Sequence, residues 1–88
     1  MPGEIPTAPV PVIISMIAET EAILQRNEKE LKQIREVLKR GVPEGVDGCY
    51  WRLANRTQTE LVHTLQMRLK RQQYTLDLAM REAEQNDI

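Results

Sequence analysis

Disulfides are excluded first. The chain of 88 residues has a single cysteine, Cys49, so no intramolecular bridge can form. One cysteine and one histidine, His63, do not supply a structural zinc site from soft ligands. Phenylalanine is absent, and Tyr50, Trp51 and Tyr74 are the only aromatics, so core volume has to come from Leu, Ile, Val and Met. Two facing helices can be filled that way; a broad sheet is harder to fill. A strong charge of either sign is also missing: the formal net charge is −1, with no global field to draw in nucleic acid or an anionic membrane. No run of 18 apolar residues occurs, so we expect no membrane span. Val10 to Ile14, the longest apolar run, is interrupted by Pro11, and no basic segment precedes it as in a secretory signal. The lone cysteine fits a reducing compartment, and the expected location is the cytoplasm.

A heptad seam is what the chain does have. Ile13, Ile17, Thr20, Leu24, Asn27, Leu31, Ile34 and Leu38 step four, three, four, three along the sequence. Such a seam needs another helix against it. A chain this short has a marginal core of its own, and with disulfides and metals excluded, association is the remedy left.

The fold class expected is all-α: an antiparallel, coiled-coil-like two-helix hairpin with an extended proline-rich arm. Residues 1–11 hold four of the five prolines and read as that arm. Within it, Pro6-Thr7-Ala8-Pro9 resembles the late-domain tetrapeptide of viral proteins; the plain alternative is a linker. The first helix is expected over residues 12–40, with Ser15 as an alternative cap, supported by the Glu28/Lys32 and Glu36/Arg40 pairs. Gly41 suits a left-handed stop, with Val42 touching Val37, and Pro43 blocks continuation. Residues 41–48 carry three glycines and read as a reversal, with Asp47 capping a second helix over 49–84. Residues 85–88 are expected to fray. On the second helix, Leu61, Leu65, Leu69, Leu76 and Met80 make a stripe less regular than the first, interrupted by Gln72 and Gln73.

Candidate chemistry is sparse. Cys49 and His63 are the only nucleophile and base to consider, and fourteen residues of helix set them roughly 21 Å apart. Glu60 and His63 have the i,i+3 spacing of di-metal bundles, but the first helix offers no inward glutamates to complete such a site. The glycines lie between helices, not after a strand, and no phosphate loop is present. These observations argue against an enzyme, a metal, a cofactor or a small-molecule substrate. Arg52, Arg56, His63 and Lys70 share a stripe with Arg68 and Arg71 beside it, which could hold RNA or DNA in the manner of a Rop-like hairpin dimer. Glu60 interrupts that stripe and no aromatic stacks within it, so nucleic acid is the alternative partner rather than the expected one. Thr20 and Asn27 are polar seam positions that either fix register or bend toward solvent. Tyr50 and Trp51 either cap the hairpin end against Val37, Leu38 and Val42 or anchor a partner.

The sequence Lys39-Arg40-Gly41, followed by Pro43-Glu44 and an aromatic-bearing second helix, resembles the small co-chaperones of bacterial type III secretion over about residues 15 to 70. The resemblance implies a helical hairpin that pairs with a TPR-like chaperone to keep the needle subunit from polymerising. The expected function is a non-enzymatic protein-interaction module (adaptor, co-chaperone or assembly factor) pairing with a second copy or another protein. Its expected contact residues are Ile17, Leu24, Leu31, Tyr50, Trp51, Leu61, Leu65, Leu69 and Leu76.

Overall fold

The computed structural model describes residues 8–42 and 44–86. Two helices, α1 (Val10–Arg40) and α2 (Val46–Asn86), fold back on each other as an antiparallel hairpin 65 Å long. The expected all-α hairpin is the fold observed. Residues 1–7 of the proline-rich arm, Pro43, and Asp87 and Ile88 of the tail lie outside the described residues.

Both helices are longer than the sequence reading. α1 begins at Val10, because Pro9 serves as N-cap with extended backbone and Pro11 occupies the first turn, where a missing N–H costs no helical bond. The Pro9 carbonyl accepts hydrogen bonds from the N–H groups of Val12 and Ile13, at 3.0 and 3.2 Å. Residues 10 and 11 therefore belong to the helix rather than to the arm, and Ser15 lies inside it. α2 begins at Val46, with Cys49 N–H bonded to the Gly45 carbonyl. Asp47 is thus a first-turn residue, not the cap, and there its negative charge still complements the helix dipole. Gly48 is also helical and is buried. At the other end α2 continues to Asn86.

The connector needs glycine at two places. Gly41 ends α1 at φ 93° and Gly45 precedes α2 at φ 118°, backbone that side-chain-bearing residues rarely adopt. Gly41 N–H bonds the Leu38 carbonyl, but at ψ 125° it departs from the left-handed stop expected of it.

The seam on α1 is as the spacing predicts, and it starts one step earlier, at Val10. Ile13, Ile17, Thr20, Leu24 and Leu31 are buried, while Val10, Asn27, Ile34 and Leu38 are half-buried. α2 answers with its own uninterrupted 3–4 spacing: Gly48, Trp51, Asn55, Gln58, Val62, Leu65, Leu69, Gln72, Leu76 and Ala79, none of them exposed. This corrects the expected stripe. Leu61 and Met80 are exposed, and Val62 and Ala79 occupy the core positions one residue away. The irregularity came from following leucines across two faces of one helix.

Leu24, Leu31, Val62 and Leu65 form one buried cluster, with Ile23 and Leu69 packed on it. Nearer the open end, Ile13, Ile17 and Ala79 form another, flanked by Val10, Leu69 and Leu76. Each leucine or isoleucine so buried contributes about 1.5–3 kcal/mol. Beside the first cluster sits a polar lock, with Asn27 between Leu24 and Leu31 on α1. Gln58 donates from Nε2 to both the Asn27 carbonyl (3.0 Å) and Asn27 Oδ1 (2.8 Å), and Asn27 Nδ2 donates to the Ile23 carbonyl. Asn27 therefore fixes register instead of bending toward solvent. Thr20 is buried and returns its hydroxyl to the Met16 carbonyl.

Candidate protein-interaction surface

The hairpin brings most of the sequence-predicted contact residues together, but against each other. Ile17, Leu24, Leu31 and Leu65 are buried between α1 and α2, and Leu69 and Leu76 are packed on the same clusters. Their apolar surface is covered within the chain. Leu61 faces out of the seam, with 42% of its surface exposed.

Tyr50 and Trp51 part company. Trp51 occupies a seam position and lines a shallow groove with Ile34 and Val37 of α1, so it closes the loop end of the hairpin. Tyr50 is 65% exposed and touches Trp51 edge to face, with ring centroids 5.6 Å apart. Trp51 is half-buried at the seam and Tyr50 is presented to solvent.

Once the seam residues are set aside, a second stripe appears on α2. Tyr50, Leu53, Leu61, Met67, Tyr74 and Leu78 are all exposed; Leu53 and Tyr74 stand at 63% and 64%. At 3.6 residues per turn they fall on one side of the helix, turned away from α1, in company with Thr57, Thr64 and Thr75 and with the exposed charges of Glu60, Arg68 and Arg71. The hydroxyls of Thr64 and Thr75 bond the carbonyls of Glu60 and Arg71, so their polarity is satisfied within the helix. This is a mixed strip, its apolar side chains interrupted by three charges, without a covering element among the described residues. Sequence reasoning missed Leu53, Met67, Tyr74 and Leu78. Their signal was a second 3.6-residue period offset from the seam by two residues, broken by Glu60 and Arg71.

The remaining flank of α2 is polar and basic. Arg52, Arg56, His63 and Lys70 lie there, all exposed, and Glu60 makes a 3.6 Å ion pair with Arg56. Solvent exposure of both partners leaves that pair little weight in stability. Between this flank and α1 runs a groove lined by Lys32, Arg35 and Lys39 opposite Thr59, His63 and Gln66, with Glu28 and Glu36 at its side. Cys49 is exposed and accepts a 3.6 Å hydrogen bond from Arg52 Nη2. It lies on the same helix as His63, so the two stay roughly 21 Å apart along the axis. Among the described residues no group of three His, Cys, Asp or Glu side chains is placed to hold a metal ion. No helix among them is long and apolar enough to cross a membrane.

Charge is distributed along the hairpin as well as around it. Residues 26–71, the middle of the sequence, hold eleven of the twelve basic side chains and six of the thirteen acidic ones, a formal +5. The described residues on either side of that segment, 8–25 and 72–86, hold one basic and five acidic side chains, a formal −4.

Compared with protein-family models, with curated proteins and with solved structures, the chain matches none.

Proposed function

We propose that the chain is a non-enzymatic helical interaction module, acting as an adaptor, co-chaperone or assembly factor, and that it binds protein through the outer face of α2. One observation carries this reading: the apolar strip from Tyr50 to Leu78 remains open after the seam has been closed by α1. Exposed apolar surface of this extent along one helix is the kind that marks an interaction site, and tyrosine is among the residues favoured as anchors. The contact residues differ from those the sequence alone suggests. Tyr50 and Leu61 stay among them; Ile17, Leu24, Leu31, Leu65, Leu69 and Leu76 hold the hairpin that presents them.

Site-specific photo-crosslinking tests this in the native host. A photoreactive residue at Leu53 or Tyr74 is expected to give protein adducts, and one at Gln66 on the polar flank is not. Absence of protein adducts from both outer-face positions overturns the reading.

A second reading has its own observation. The groove lined by Lys32, Arg35 and Lys39 suits a polyanion such as RNA or DNA. It requires a binding constant that falls steeply with salt and that is lost in Arg35→Ala and Lys70→Ala variants.

A further inference from the structure

We draw no further inference here: the strongest candidate, the groove between α1 and the polar flank of α2, where Lys32, Arg35 and Lys39 stand beside Glu28 and Glu36, belongs to the polyanion reading already given.

Discussion

α1 and α2 use their apolar residues differently. α1 concentrates them on one face, and only near its start, at Val12, Ile14 and Met16, are large apolar side chains exposed. α2 divides them between two faces. Its seam contains only three buried apolar side chains, Val62, Leu65 and Ala79, while Tyr50, Leu53, Leu61, Met67, Tyr74, Leu78 and Met80 remain in solvent. The seam of α2 also admits Asn55, Gln58 and Gln72. In the proposed reading α2 renders two services, closing the seam and presenting an outer face to a partner, where α1 renders one.

Substitutions separate those two services. The largest effect is expected from Leu31→Asp, which puts a carboxylate into the cluster with Leu24, Val62 and Leu65. The lost leucine and the stranded charge together exceed about 4 kcal/mol, comparable with the whole stability of a small domain. Circular dichroism should show loss of cooperative unfolding, and a normal melting curve would contradict the seam. Next is Ile17→Ala, which opens space against Ala79 and should lower stability by about 2–4 kcal/mol in urea titration. Gln72→Leu should move the other way. Gln72 Oε1 is buried without a hydrogen-bond partner among the described residues. Removing such an acceptor in favour of a side chain like its neighbours Leu69 and Leu76 should raise stability by about 1–2 kcal/mol, read as an increased urea midpoint. The smallest effect on the hairpin is expected from Leu53→Glu. Measured at monomer concentrations, its folding should differ from wild type by no more than about 0.5 kcal/mol. A large destabilisation there would show the outer face to be part of the core and erase the contrast between the helices.

Legibility from sequence followed the same division. The seam of α1 could be read in full from Ile13 to Leu38, because its core positions are aliphatic save for Thr20 and Asn27, and no competing stripe disturbs the period. The seam of α2 could not, because hydrophobicity is a poor guide where core positions hold Asn55, Gln58 and Gln72 and leucine stands outside them at 53, 61 and 78. Two interleaved heptad patterns, two residues out of phase, look like one irregular pattern. The partner of Asn27 was hidden for a related reason: Gln58 lies in a polar stretch that reads as a weak helix start until α1 and α2 are laid side by side. The early start of α1 was missed because prolines usually interrupt helices, whereas Pro9 and Pro11 sit at the cap and first turn, where they are tolerated.

The short connector has a kinetic and statistical meaning beyond reversing the chain. Joining α1 to α2 makes each helix a ligand present at an effective concentration on the order of millimolar to the other, so the seam closes by a first-order event that dilution does not weaken. The positive φ of Gly41 and Gly45 maintains that arrangement. An added Cβ would meet no atom within 4 Å at either glycine, so alanine there is opposed by backbone strain alone, about 1–2 kcal/mol per residue. Straightening the connector would turn the same seam into a second-order encounter, with α1 of one molecule zipped to α2 of another. The two glycines thus decide whether the hairpin counts as one molecule's folding or two molecules' exchange.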